Sequence, residues 1–167
     1  MKLLLRGHTE RYPVEQLQMQ LFGNEPSEFV TEEFEEDGTI SSLSRGKLYL
    51  TATAKVRYRG KTGFAARRLP LVQADVRRTR RLLQQSYYLA AMQGLDTVPP
   101  WGALSGVRPS KLSTKALLAG KTRRQAEREL EREFFVTPER AKLCVDASEH
   151  TVEAMNLLAP RDLSVYI

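Results

Sequence analysis

Residues 47–58 read Lys47-Leu48-Tyr49-Leu50-Thr51-Ala52-Thr53-Ala54-Lys55-Val56-Arg57-Tyr58. Every second position is apolar or small, and this set comprises Leu48, Leu50, Ala52, Ala54, Val56 and Tyr58. The positions between them are mainly hydroxylated or basic. A period of two is typical of a half-buried antiparallel strand, because successive side chains point to opposite faces of a sheet. The stretch therefore predicts a strand with one face in the core.

Turn signals surround this strand. Three glycine dipeptides punctuate the region 27–70 as turn signals, namely Asp37-Gly38, Arg45-Gly46 and Arg59-Gly60. Such pairs are typical of hairpin turns, because glycine adopts the positive φ angles that tight turns need. The region therefore predicts a β-meander of three or four strands, and Lys2 to Arg6 predicts a further short buried strand.

Apolar residues at helical spacing flank the sheet region. One predicted helix opens at Tyr12-Pro13, continues through Val14, Leu17 and Leu21, and closes at Gly23-Asn24. A longer one runs from Leu71 to Met92, with its apolar side formed by Leu71, Val76, Leu83, Tyr87 and Ala90. Residues 1–96 are thus predicted to form an α+β domain, a small and mostly antiparallel sheet covered by helices.

Proline and glycine at positions 99, 100 and 102 interrupt regular structure, and helical signals follow. Pro109 opens a helix through Leu118, and a Thr122/Gln125 capping box opens a second one through Glu133. Thr137-Pro138 begins a third, running to about Leu158, with its inner face formed by Ala141, Val145, Ser148, Val152 and Met155. Residues 97–160 are therefore predicted to be a three-helix subdomain.

The charge of the chain is +6 and its isoelectric point is about 9.6. Residues 45–81 hold twelve Lys and Arg against one acid, whereas residues 25–37 hold seven acids and no base. One interpretation is a nucleic-acid-binding module of residues 45–81, with Tyr49, Tyr58 and Phe64 as stacking residues. The alternative is a solvated sheet surface partly neutralised by the acidic segment.

The sequence predicts no catalytic residue and no metal site in this chain. Cys144 is the single cysteine, so neither an internal disulfide nor a multi-cysteine cluster can be built from these 167 residues. This cysteine is predicted to be a small buried residue. His8 and His150 have no metal-ligand spacing around them. Because no apolar run is long enough for a signal peptide or a membrane span, the sequence predicts a cytoplasmic protein without membrane contact.

The candidate contact residues lie in one glycine-containing segment, and they are Trp101, Arg108 and Lys111. Pro109 disfavours helical geometry for Arg108, so the arginine is expected to be extended at the start of a helix. There the guanidinium and the free amides of the first turn could bind a carboxylate or a phosphate of a substrate. In the structural alternative, Trp101 fills the seam between the subdomains and Arg108 holds a carbonyl or a glutamate.

Three stretches carry a family resemblance. They run from Trp101 to Leu112, from Phe135 to Leu143, and from Ser164 to Ile167. Together they resemble the N-terminal region of the coproporphyrinogen dehydrogenase family of radical-SAM proteins, relatives of oxygen-independent coproporphyrinogen III oxidase. Residues 161–167, an apolar strand without a following turn, then correspond to the first strand of a C-terminal radical-SAM barrel.

The resemblance implies an activity for a longer protein. The full-length enzyme would bind a [4Fe-4S] cluster and S-adenosylmethionine, and would oxidatively decarboxylate two propionates of coproporphyrinogen III. Because the cluster loop of the family follows the Tyr166-Ile167 strand, the resemblance assigns no catalytic residue and no cofactor to this chain. The implied partners are the chain's own C-terminal radical-SAM domain and an acidic tetrapyrrole.

Overall fold

A computed structural model of the chain describes residues 1–23, 26–105 and 108–157. Its strands are β1 (Lys2–Arg6), β2 (Glu28–Val30), β3 (Gly38–Arg45), β4 (Tyr49–Tyr58) and β5 (Lys61–Pro70). Its helices are α1 (Arg11–Phe22), α2 (Val76–Ala91), α3 (Pro109–Leu118), α4 (Arg123–Phe134) and α5 (Pro138–Leu157), with a 3₁₀ turn at Leu71–Gln73. No helix in these ranges has the length and apolar content that crossing a bilayer requires.

The chain divides into two compact units, residues 1–106 and residues 107–167. The predicted boundary at residue 96 lies upstream of this division, and residues 97–105 fall in the first unit. One contact that holds this segment there is a hydrogen bond of 3.2 Å from the Gln84 amide of α2 to the Ser105 hydroxyl. The predicted barrel strand, 161–167, lies outside the described residues.

The first unit is built on one mixed sheet with the strand order β2-β1-β3-β4-β5. Its two longest pairings, β3 with β4 and β4 with β5, are antiparallel. β1 lies between β2 and β3 and runs parallel to both, because α1 carries the chain from β1 to β2. The predicted α+β class is confirmed, and so is the meander, which consists of β3, β4 and β5.

Two of the three predicted hairpin turns are found. Arg59 and Gly60 have φ angles of 49° and 77° between β4 and β5, as a two-residue turn with two left-handed positions requires. Gly46 begins the turn between β3 and β4. The third prediction was wrong, because Gly38 is the first residue of β3 and pairs with Lys2 of β1. Glycine is needed there, since a Cβ would lie 2.5 Å from the Phe34 ring.

One face of β4 is buried as the alternation predicted. Leu50, Ala52, Ala54 and Val56 lie in the core, and α2 contacts this strand and covers it. Leu48 departs from the pattern and is 72% exposed, because β4 begins only at Tyr49.

The helix that covers the sheet begins later than predicted. Residues 71–73 form the 3₁₀ turn, and α2 starts at Val76, with the Asp75 carboxylate accepting a hydrogen bond of 2.7 Å from the Arg78 amide. Asp75 is thus the N-cap of α2, so the α-helix does not start at Leu71 as the sequence predicted. Val76 is exposed rather than buried, whereas Leu83, Tyr87 and Ala90 lie in the core as predicted.

The second unit contains the three predicted helices. The capping box is present, with the Thr122 hydroxyl and the Gln125 amide each bonded to the other's backbone. The last helix buries Ala141, Val145 and Ser148 as predicted. Met155, however, is exposed, so the predicted inner face ends about one turn earlier.

Candidate functional site

The predicted contact residues do not share one element. Trp101 is half-buried in a turn of the first unit, in which its carbonyl accepts a hydrogen bond of 3.0 Å from the Leu104 amide. Arg108 and Lys111 belong to the second unit, and both are exposed. Residues 106 and 107, which connect these positions, lie outside the described residues. The start of α3 therefore brings together Arg108 and Lys111, and Trp101 belongs to the other unit.

Arg108 has the predicted conformation. Its φ and ψ angles are −70° and 114°, which is extended, and Pro109 is the first residue of α3. The Arg108 carbonyl accepts a hydrogen bond of 3.1 Å from the Lys111 amide. The first turn of α3 holds no acid, and no side chain caps it. Two cations next to the positive end of a helix dipole make this end of α3 attractive to an anion.

Cys144 lies in a polar cluster between α3 and α5. The Ser113 hydroxyl is 3.1 Å from the Cys144 sulfur and 2.7 Å from the Ser148 hydroxyl. The predicted burial of the cysteine is confirmed. Burial raises the pKa of the Cys144 thiol, while the hydrogen bond with Ser113 acts in the opposite direction. The thiol is therefore protonated at neutral pH and serves helix packing.

A [4Fe-4S] cluster does not fit the residues of this chain. Such clusters are held by several cysteine thiolates, whereas the sequence has Cys144 alone, and its thiol is buried and hydrogen-bonded. Among the described residues no group of three or more His, Cys, Asp or Glu side chains could hold a metal ion.

Arg123 joins α4 to α5. Its guanidinium contacts the carboxylates of Glu127 at 3.0 Å and Glu149 at 2.7 Å, and it also pairs with Asp146. These contacts raise the pKa of Arg123, with the Asp146 hydrogen bond as the largest cause. The guanidinium is thus the centre of an ion-pair network that joins the two helices at a partly exposed position.

A polar group that the sequence did not predict lies inside the first unit. The His8 Nε2 atom is 3.2 Å from the Ser41 carbonyl oxygen and 3.1 Å from the Ser41 hydroxyl, whereas Nδ1 is buried without a partner. Burial lowers the pKa of His8. In the same strand as Ser41, Thr39 is fully buried, and its hydroxyl, like that of the buried Tyr87, has no hydrogen-bond partner among the described residues. In the sequence, the only indication of these buried polar groups was that Thr39 and Ser41 occupy alternate positions, and therefore one face, of β3.

Most of the positive charge gathers at one end of the first unit. Because β3, β4 and β5 form a meander, the C-terminal ends of β3 and β5 meet at the N-terminal end of β4, and α2 starts beside them. We call this the basic end, and it consists of Arg45, Lys47, Arg67, Arg68, Arg77, Arg78, Arg80 and Arg81. Arg78 pairs with Asp75 at 3.7 Å, and Arg80 pairs with Glu10 at 2.7 Å.

The remaining charge at the basic end is not neutralised by the acidic segment. Within the described residues, the carboxylates of the segment pair with β1, Glu36 with Lys2 at 2.6 Å and Glu33 with Arg6 at 2.5 Å. The segment also holds the Arg57 guanidinium and the Arg59 amide, both far from the basic end. Five cations of the basic end form no salt bridge with any described residue, namely Arg45, Lys47, Arg67, Arg68 and Arg77.

The three aromatic residues of the strip do not form one stacking surface. Tyr58 lies on the helix-covered face and packs against Phe22, with ring centroids 4.6 Å apart. Tyr49 and Phe64 are exposed on the opposite face, at register positions paired with Pro70 and Lys55. Five residue pairs of the β4–β5 register lie between these two positions, so the two residues are about 20 Å apart along the strands. The nucleic-acid interpretation therefore depends on charge rather than on stacking.

Comparison with known proteins gives one informative similarity. The chain is 27% identical over 162 residues to the oxygen-independent coproporphyrinogen-III oxidase-like protein HemZ of Bacillus subtilis (strain 168). The match covers 92% of this chain and 30% of that relative, so the chain spans about a third of its length. No protein-family model matches the chain, and no solved structure matches it.

The similarity is broader than the three stretches that first indicated it. They lie within 101–167, whereas the match extends over nearly the whole chain and therefore includes most of the α+β unit. The predicted resemblance is thus confirmed as a similarity, over 92% of this chain, to an oxygen-independent coproporphyrinogen-III oxidase-like protein.

Proposed function

We propose that this chain is the N-terminal accessory part of an oxygen-independent coproporphyrinogen III oxidase-like enzyme of porphyrin and haem biosynthesis. The observation that supports it is the similarity to the HemZ relative over 92% of this chain and only 30% of that protein. An oxidoreductase activity would then reside in the part of the polypeptide that this chain does not contain.

The cofactors would lie outside this chain. A [4Fe-4S] cluster and S-adenosylmethionine would be bound by a radical-SAM domain that follows Ile167. The role of the present chain would be to contact that domain and to attract an acidic tetrapyrrole in the cytoplasm. The Arg108/Lys111 pair, exposed at the start of α3, suits a carboxylate-rich ligand.

The coding sequence downstream of residue 167 tests the proposal directly. A loop with three cysteines at C-x-x-x-C-x-x-C spacing within a few tens of codons is the expected result. A stop codon immediately after Ile167, or a downstream domain without clustered cysteines, would remove the enzyme assignment.

A second candidate function is binding of single-stranded nucleic acid through residues 45–81. It is favoured by the five cations of the basic end that form no salt bridge within residues 1–23, 26–105 and 108–157. Binding to a single-stranded RNA at about 50 mM salt that weakens steeply by about 200 mM would support this function, because cation–phosphate contacts release counterions. Changing Arg67 and Arg68 to alanine should then weaken binding more than changing Arg57, which the acidic segment already holds. Absence of binding at low salt would exclude it.

A further inference from the structure

Exposed apolar side chains lie among the cations of the basic end. Val72 is 94% exposed, Leu48 is 72% exposed and Val76 is 63% exposed. Tyr49 is 45% exposed beside them. We call these four residues the apolar tip. Single exposed apolar residues are ordinary, but a group of adjacent ones on a small domain marks a contact surface.

Backbone hydrogen bonds hold the apolar tip in one shape. The Leu71 amide donates to the Leu48 carbonyl over 2.9 Å, which ties the β3–β4 turn to the 3₁₀ turn. The Gly46 amide donates to the Tyr49 carbonyl over 2.9 Å, and Tyr49 pairs with Pro70 in the sheet. The Asp75 cap then fixes the start of α2 at Val76. The surface is therefore preorganised, and a partner does not have to order it on binding.

The composition of the apolar tip, and of the five cations that form its rim, indicates the kind of partner. Four of the five unpaired cations around the tip are arginines, and the fifth is Lys47. Arginine, tyrosine and buried aliphatic side chains are enriched at protein interfaces, whereas lysine is depleted there. Nucleic acid would use the cations but would leave Leu48, Val72 and Val76 in water. An aliphatic pocket with an acidic rim on another protein domain satisfies both groups.

We propose that the apolar tip and its arginines dock onto the remainder of the same polypeptide, against an apolar pocket lined by acidic residues. This inference rests on the proposed function, since it takes the chain to be one part of a longer enzyme. The relative's length supports it, because this chain corresponds to 30% of that protein. Covalent linkage would give the partner surface a high effective concentration, so that a modest interface would remain closed.

Thiol labelling compares the exposure of the apolar tip in this chain alone with its exposure in the full-length protein. Single variants Leu48→Cys and Val72→Cys are made with Cys144→Ser, and their maleimide reaction rates are measured in this chain alone and in the full-length protein. Phe64→Cys is the matched control, because Phe64 is 58% exposed on the same unit but away from the tip. Docking predicts rates at least about tenfold slower at positions 48 and 72 in the full-length protein, equivalent to a closed state favoured by about 1.4 kcal/mol. The rate at position 64 should not change.

The charge on the rim gives a second readout. Reversing Arg67 and Arg68 to glutamate in the full-length protein should restore fast labelling at position 48. Equal rates in the two forms would overturn the inference, and so would slow labelling in this chain alone that depends on its concentration, since it would show self-association. Protection that appears only with vesicles of phosphatidylglycerol, or only with RNA, would overturn it as well. The outcome is independent of the cysteine loop, so a missing loop would reject the enzyme assignment without rejecting the docking.

Discussion

Gly63 of β5 lies directly beneath the Ala90 carbonyl of α2, and a Cβ atom at position 63 would be 2.0 Å from that oxygen. The amide of Gln93, one turn further along, spans the same edge, accepting from the Phe64 amide at 3.2 Å and donating to the Phe64 carbonyl at 2.7 Å. The covering helix is therefore fixed to the edge strand by a close backbone approach and by two hydrogen bonds.

The first prediction concerns this approach. Gly63→Ala should lower the free energy of unfolding by about 3 kcal/mol, because the backbone of α2 must move to admit the methyl group. Urea unfolding followed by circular dichroism would measure it. Gly46→Ala is the control, since its Cβ would make an ordinary contact at 3.5 Å from the Tyr49 oxygen. Similar losses in both variants would show that the approach at Gly63 is looser than described.

The second prediction concerns the ion-pair network of Arg123. Arg123→Ala should lower the melting temperature more than Arg128→Ala, because Arg123 contacts three carboxylates on two helices and Arg128 is an exposed residue of the same helix. The difference should shrink at high salt, since the network is partly exposed and salt screens it. Melting curves at about 0.05 M and 1 M sodium chloride would reveal this, and a difference unaffected by salt would argue for packing instead.

The third prediction concerns His8. Burial lowers its pKa in the folded state, so the unfolded chain binds the proton more tightly and stability falls as the pH decreases through the usual histidine range. Protonation would also place an N–H group on the buried, unpartnered Nδ1 atom. The free energy of unfolding should therefore drop more between about pH 7.5 and pH 5.5 in the unchanged protein than in His8→Gln. Carboxylates cancel in this difference, and identical drops would contradict the assignment.

The fourth prediction concerns Arg108 in the full-length protein. Arg108→Ala should reduce the proposed activity more strongly than it reduces the melting temperature, because the side chain is exposed at the start of α3. Arg124→Ala, an exposed arginine in the first turn of α4, serves as the comparison. Parallel losses of activity and stability at position 108 would instead favour a structural role for the arginine.

Sequence patterns correctly predicted the elements whose structure depends on residues that are close together in the chain. The alternation from Leu50 to Val56 identifies β4 because one face of that strand is buried under α2. The capping box fixes the start of α4, because its two partners, Thr122 and Gln125, are only three residues apart. Such features need no knowledge of distant residues.

The errors arose where distant contacts decide the structure. Gly38 looked like a turn residue, but Phe34 and the Lys2 carbonyl crowd it inside a strand. Leu48 lies in the turn before β4 begins, and Val76 is the first residue of α2 next to its Asp75 cap, so neither side chain reaches the core that its apolar pattern predicted. The basic end could not be predicted from charge counts, because it depends on the strand order that brings residues 45, 67 and 77 together.

Iron and acid-labile sulfide in the full-length protein, purified without oxygen, test the proposed role of this chain most directly. About four iron and four sulfide ions per chain are expected, bound outside residues 1–167 and therefore retained in a Cys144→Ser variant. A full-length protein that holds neither iron nor sulfide after anaerobic reconstitution would contradict the assignment to an oxygen-independent coproporphyrinogen III oxidase-like enzyme.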